Sequence, residues 1–139
     1  MFEICKRINH TSNKIKLNNT LCIFNYFKDE FVSLKQEVFY VLLFDKKMNL
    51  ISKKKMFVGT IDSVNVHPRE IFKFAISESA SFIVCIHNHP SGDTTPSSFD
   101  RDITNILIKT GDIVGIKLLD HLIISGDSYF SFYEEVNNK

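Results

Sequence analysis

The sequence has no tryptophan, and among its 139 residues only three cysteines, three prolines and five glycines. Cys5, Cys22 and Cys85 are odd in number and no two stand in Cys-x-x-Cys spacing. A disulfide framework or a zinc ribbon is therefore disfavoured, and a reducing compartment is the better expectation. Collagen-like repeats and low-complexity tracts are excluded by the same composition. An excess of one charge is also missing: 17 Lys and Arg face 16 Asp and Glu, for a formal net charge of +1. Nucleic-acid binders usually carry a basic excess, so that class begins with weak support. Long apolar runs are lacking too. The densest, Phe39–Phe44 and Phe82–Ile86, are far too short to span a bilayer. Met1 to Asn19 mixes Glu, Lys, Arg, His and Asn and holds no apolar stretch of the secretion-signal kind. A cytoplasmic protein without a membrane partner is expected.

What is present is enough apolar material for one domain. Hydrophobic residues make up 44% of the chain, and 13 phenylalanines are its main aromatic filler. Residues 1–18 read as a polar, loosely docked lead, 19–133 as the domain and 134–139 as a tail. Leu21, Phe24, Phe27, Phe31 and Leu34 recur at gaps of three and four, which predicts a helix over 19–34. Glu37 to Asp45 is rich in β-branched and aromatic residues and reads as a strand buried on both faces. A turn over 45–49 leads to a return strand, Leu50–Val58, whose Lys53-Lys54-Lys55 suits a solvated sheet edge guarded by charge. Pro68 opens a helix with an apolar stripe of Ile71, Phe72, Ala75, Ile76 and Ala80. Phe82–Ile86 is a second buried strand, stopped by the turn formers of His87–Gly92. A third helix, Ser97–Val114, carries Phe99, Ile103, Ile106, Leu107, Thr110 and Val114 as its expected inner face. Strands Ile116–Ser125 and Ser128–Phe132, joined at Gly126-Asp127, close the chain. Alternating strands and helices give an α/β fold, a mixed β-sheet with helices packed on it.

The most informative residues are His87-Asn88-His89 and Asp100. Residues two apart on a strand share a face, so both imidazoles stand side by side at the end of a buried strand. Imidazole nitrogen suits zinc, and Asp100, at the start of the next helix, can add a carboxylate oxygen. Three protein ligands leave a fourth tetrahedral position for water, the mark of a catalytic rather than a structural zinc. Each part alone also has a plain reading: His-x-His as two hydrogen-bonded histidines, and Ser97-x-x-Asp100 as a capping box.

Together they are more specific. His-x-His, seven residues, Ser97, two residues and Asp100 form the signature of the JAMM (MPN-plus) metalloprotease motif. The run His-Asn-His-Pro-Ser-Gly-Asp-x-x-Pro-Ser-x-x-Asp resembles the RadC family of JAB-like bacterial domains. So do Gly59-Thr60-Ile61-Asp62, His67-Pro68-Arg69-Glu70, Leu119-Asp120-His121-Leu122-Ile123-Ile124 and Tyr129-Phe130-Ser131-Phe132, which extends the likeness over roughly 19–133. The resemblance implies a JAB/MPN-like (deaminase-like) fold with one zinc held by His87, His89 and Asp100. It makes Glu37 the carboxylate that hydrogen-bonds the zinc-bound water and Ser97 the group that assists the tetrahedral intermediate. It implies hydrolysis of a peptide or isopeptide bond in a peptide or protein substrate. Asp120 and His121 are candidates for a supporting shell that orients a ligand imidazole, or for hydrogen bonding inside the sheet.

RadC proteins typically carry a helix-hairpin-helix region ahead of this domain, and here only a short polar lead precedes it. A partner role for DNA is thus less supported than the metal site, and the alternative function is a non-enzymatic module tied to DNA repair or maintenance. A zinc nucleobase deaminase needs His-x-Glu and a downstream Pro-Cys-x-x-Cys. Neither is found, nor is a His-Glu-x-x-His helix.

Overall fold

The computed structural model describes residues 7–9, 14–59 and 66–137. Cys5, His10 and the Thr60-Ile61-Asp62 part of one family-like segment lie outside the described residues. The elements run β1 (Arg7–Asn9), β2 (Lys14–Lys16), α1 (Thr20–Phe31), β3 (Val38–Phe44), β4 (Leu50–Val58), α2 (Pro68–Ser77), β5 (Phe82–Asn88), α3 (Ser98–Val114), β6 (Lys117–Ser125), β7 (Ser128–Ser131) and α4 (Phe132–Asn137). The main sheet has five strands in the order β4-β3-β5-β6-β7. The β5–β6 pair is parallel and the others are antiparallel. The protein is therefore an α/β domain built on a mixed sheet, with a JAB/MPN-like arrangement. β1 and β2 pair separately, Lys16 bridges Asn49, and Leu17 is fully buried.

Strand alternation divides the core into two layers. Odd positions of β3 and β5 (Phe39, Val41, Leu43, Ile83, Cys85) pack under α2 and α3 with Ile71, Phe72, Ala75, Ile103 and Leu107. Even positions (Leu42, Phe44, Val84, Ile86) pack under α1 with Ile23, Phe24, Phe27 and Phe31. The two central strands are covered on both faces, which explains their near-continuous apolar runs. β4 is an outer strand, and Lys53, Lys54 and Lys55 are exposed along it; Lys53 Nζ meets Glu30 Oε1 at 2.6 Å.

Three helix faces differ from their sequence reading. Leu21, Ile76 and the pair Ile106 and Val114 are exposed. In α3 the inward stripe is Asp100, Ile103, Thr104, Leu107 and Gly111. The capped first turn directs Asp100 inward, and its i+4 and i+7 neighbours follow it. Polar Asp100 and Thr104 thus take places that hydrophobic periodicity assigns to Ile106 and Thr110. β5 also runs two residues further than the apolar run, because β3 and β6 offer ladder partners as far as His87 and Asn88.

One irregularity in β6 matters for function. Ile83 pairs with Leu118 but Val84 pairs with Asp120, so β6 carries one extra residue. Such a bulge reverses the parity of everything after it. His121 consequently faces the α3 layer, beside His87, while Asp120 faces α1. There the Asp120 carboxylate accepts from Thr20 Oγ1 (2.8 Å), Ser131 Oγ (2.6 Å), Tyr133 N (3.0 Å) and His121 N (2.7 Å). Burial pushes its pKa up, and these four donors hold it back.

α3 ends at Gly115, whose φ of 81° is left-handed, and the chain turns back tightly over Gly111. A Cβ on Gly111 would stand 2.4 Å from the Ile116 carbonyl oxygen, a backbone atom with no rotamer to yield. Gly111→Ala is expected to destabilise the fold by about 1–3 kcal/mol through overpacking, read as a lower urea midpoint with an unchanged slope. Ile113→Ala, at a side chain 85% exposed, should stay within about 0.5 kcal/mol of the parent.

Candidate metal centre

His87, near the end of β5, and His89, one step beyond it, share a face, as a period of two requires. Their Nε2 atoms lie 3.1 Å apart. The Asp100 carboxylate reaches both, with Oδ1 3.2 Å from His87 Nε2 and Oδ2 3.2 Å from His89 Nε2. Glu37, just before β3, brings a carboxylate oxygen into the same cluster, within 4.8 Å of ligand atoms of His87 and His89. Glu37, His87, His89 and Asp100 therefore converge. A tetrahedral zinc with bonds of ~2.0–2.1 Å would space its ligand atoms by roughly 3.3–3.4 Å. The His87–His89 Nε2 separation and the two Asp100 contacts, each to a different carboxylate oxygen, lie within a few tenths of an ångström of that spacing.

Local structure explains the placement. Ser97 caps α3: its Oγ accepts from Asp100 N (3.0 Å), and Asp100 Oδ2 accepts from Ser97 N (2.8 Å). This capping box turns the Asp100 side chain back toward the strand end. The His89 backbone is pinned to β6, with His89 N donating to Ile124 O (3.0 Å) and Ser125 Oγ donating to His89 O (2.7 Å). The His89 ring is set by Nδ1, 2.9 Å from the Asp93 carbonyl. A carbonyl only accepts, so Nδ1 carries the hydrogen and Nε2 offers a lone pair to the cluster.

Asn88, between the two histidines, holds the segment that bears Glu37. Its Oδ1 accepts from Val38 N (2.7 Å) and its Nδ2 donates to Gln36 O (3.0 Å), one contact on each side of Glu37. Gly59 N adds a third hold on the Glu37 carbonyl (2.8 Å). The fully buried His87 ring stacks on Phe39, with centroids 5.8 Å apart. Behind it His121 Nε2 lies 2.8 Å from His87 Nδ1.

The electrostatics follow from burial and pairing. Burial alone would raise the Asp100 pKa, but the His87 and His89 rings 3.2 Å away outweigh it and hold the carboxyl well below the usual carboxylate range. The Asp100 carboxylate beside its Nε2 raises the His89 pKa. His121, fully buried, is pushed well below its ordinary value by desolvation and by the neighbouring His87. Buried Cys85, two residues before His87, has its thiol pushed up by desolvation. That makes it a core residue, not a nucleophile. A negative charge among lone pairs, in a site that reaches solvent at Glu37, His89 and Ser97, is suited to a cation.

Of the residues singled out in the sequence, His87, His89, Asp100, Glu37 and Ser97 come together, and His121 adjoins them. Asp120 does not: the β6 bulge turns it to the opposite face of the sheet. Sequence reasoning passed over Asn88 and Thr104. Thr104 sits four residues after Asp100, a helical spacing that could have marked it as sharing the Asp100 face.

The profile of the RadC-like JAB domain matches residues 17–137. A UPF0758 protein of Clostridioides difficile is 47% identical over 123 residues, covering 88% of this chain and 52% of that protein. A UPF0758 protein of Thermotoga maritima is 42% identical over 135 residues, covering 96% of this chain and 60% of its own length. One from Chlorobaculum parvum is 41% identical over 133 residues, with 95% and 60% covered. The chain thus spans a little over half the length of these curated relatives. With the profile matched over nearly all of the sequence, the chain belongs to the RadC-like JAB domain family.

Proposed function

We propose that this chain is a zinc-dependent hydrolase of the JAMM type that cleaves a peptide or isopeptide bond. The observation that carries the reading is the triangle of His87 Nε2, His89 Nε2 and Asp100 oxygens at 3.1–3.2 Å, with the Glu37 carboxylate beside it. Two imidazoles and one carboxylate form the donor set of a catalytic zinc, and the fit leaves one corner free. Zinc held there would make its water acidic near neutral pH and polarise a substrate carbonyl.

The chain's own groups supply the rest. Glu37 takes the proton from the attacking water and hands it to the leaving amine. The three backbone holds from Asn88 and Gly59 keep it at the cluster's edge. Ser97 uses an oxygen lone pair for the Asp100 N–H, so its own hydroxyl hydrogen is available to a developing oxyanion. Capping and catalysis thus use different parts of one hydroxyl group. His89, with the more exposed of the two rings, faces the side from which a peptide or protein substrate approaches.

Among the described residues a non-enzymatic DNA-linked module draws support from the exposed Lys53-Lys54-Lys55 edge. One of these lysines is already paired with Glu30, and the net charge is +1. Among the described residues no helix is long and apolar enough to cross a membrane.

Wild-type protein is expected to hold about one zinc per chain by elemental analysis, as a site with three protein ligands requires. His89→Ala should lose it, and Asp120→Asn should keep it despite lower thermal stability. Glu37→Gln should keep the metal but cleave a panel of fluorogenic peptides and isopeptide-linked lysine substrates about 10²–10⁴-fold more slowly. Full cleavage by Glu37→Gln would remove it from the role of base. A wild type without zinc would refute the hydrolase reading.

A further inference from the structure

Behind the metal triangle four polar atoms form a buried line. Thr104 Oγ1 lies 2.7 Å from the Asp100 carbonyl oxygen and 2.7 Å from His121 Nδ1. His121 Nε2 lies 2.8 Å from His87 Nδ1. Thr104 is 3% exposed and both rings are fully buried, so these groups have one another in place of water. The His121 ring is wedged between aromatic neighbours, stacked on Phe132 at 5.1 Å and edge-on to Phe39 at 5.6 Å.

Hydrogen counting gives this line a direction. A carbonyl can only accept, and a hydroxyl has one hydrogen to give. In a helix threonine commonly gives it to the carbonyl four residues back, as Thr110 does to Ile106 O at 2.8 Å in the same helix. Thr104 then meets His121 Nδ1 with a lone pair, so Nδ1 must carry hydrogen. A neutral imidazole has one N–H, and His121 Nε2 is therefore an acceptor. Its partner, His87 Nδ1, must donate. His87 Nε2 is left with a bare lone pair aimed at His89 and Asp100. The opposite polarity would place a hydrogen on His87 Nε2, inside the cluster, where it blocks a cation.

We infer that Thr104 and His121 form a fixed donor relay that sets the tautomer of His87 and so readies its Nε2 for a metal before the metal arrives. Both are positioning residues, since they meet His87 Nδ1 and the Asp100 carbonyl and not the atoms turned toward the metal position. Which nitrogen of a histidine is free is decided by the bond the other makes. Metal-bound histidines usually present their other N–H to a carboxylate, a carbonyl or water. Here the partner is a neutral histidine, oriented by a threonine on the helix that bears the Asp100 ligand. Asp100 and His87 are thus tied through one line of hydrogen bonds as well as through the cluster. This inference rests on the reading of His87 as a metal ligand and not on hydrolysis.

Long-range proton–nitrogen correlation spectra of the metal-free protein, labelled at histidine, test the relay directly. His121 and His87 are expected in the Nδ1–H form. His121 in the Nε2–H form would overturn the inference. Thr104→Val keeps the shape but cannot accept from His121. Its zinc affinity, by competition with a chromophoric chelator, should fall about 10–100-fold, and Thr104→Ser should restore it. A Thr104→Val protein that folds and binds zinc as tightly as wild type also overturns it. Should Thr104→Val fail to fold, Thr104→Ser and the wild-type spectra still decide. A wild type that binds no zinc would sink the hydrolase reading, and the metal-free spectra would still judge the relay separately.

Discussion

The structure depends on one electrostatic arrangement: a buried carboxylate facing two imidazole nitrogens at van der Waals range. Asp100 is 2% exposed and His87 is fully buried. Removing such groups from water is costly unless they are paired. In the chain alone the Asp100 carboxylate keeps the Ser97 N–H of the capping box, and a cation between the rings would supply the rest of the pairing. Much of the surrounding architecture serves to keep these acceptors together. α3 is rotated to bring Asp100 inward. β5 is extended past its apolar run. The loop after His89 folds back to place the Asp93 carbonyl on the ring.

That arrangement also orders the elements by rigidity. His87 lies between the ladders of β3 and β6, with aromatic rings on its flank. His89 is one step beyond the strand and held by single contacts to Asp93, Ile124 and Ser125. Glu37 sits just before β3, where Gly59 N holds its carbonyl on the β4 side. On the β5 side Asn88 holds the segment by bonding Gln36 and Val38 with its side-chain amide. The same three-residue segment thus supplies two candidate ligands and the clamp for the carboxylate beside them.

The legible part of this in the sequence was what obeys a local period. The shared face of His87 and His89 follows from strand alternation, and the inward turn of Asp100 follows from Ser97 three residues earlier. The buried strands announced themselves through continuous apolar runs. Glu37 had no local signal: a polar residue opening a strand is ordinary, and only the family likeness pointed to it. Thr104 was hidden because hydrophobic periodicity ranks Ile106 above a threonine, whereas the helix is oriented by its capped acid. The separation of Asp120 from His121 was hidden for another reason. Adjacent residues of a strand must face opposite ways, but which one faces the site is decided by a bulge, and a bulge leaves no trace in side-chain periodicity.

The bulge has an electrostatic consequence. With the present parity a neutral imidazole stands behind His87, and the Asp120 carboxylate lies across the sheet among hydroxyl and amide donors. A shift of one residue in β6 would exchange them. Asp120 would then face His87, adding a buried negative charge to those of Asp100 and Glu37. In a low-dielectric interior like charges at such range interact strongly. A third carboxylate would draw the His87 N–H toward itself and offset more of the charge of any bound divalent ion, weakening its pull on water. With the imidazole in that place, the ring is oriented without added charge. Ser131 and Thr20, which satisfy the displaced carboxylate, also tie β7 and α1 to the back of the sheet. The same bulge therefore keeps a third carboxylate away from the candidate metal site and locks the layer beneath it.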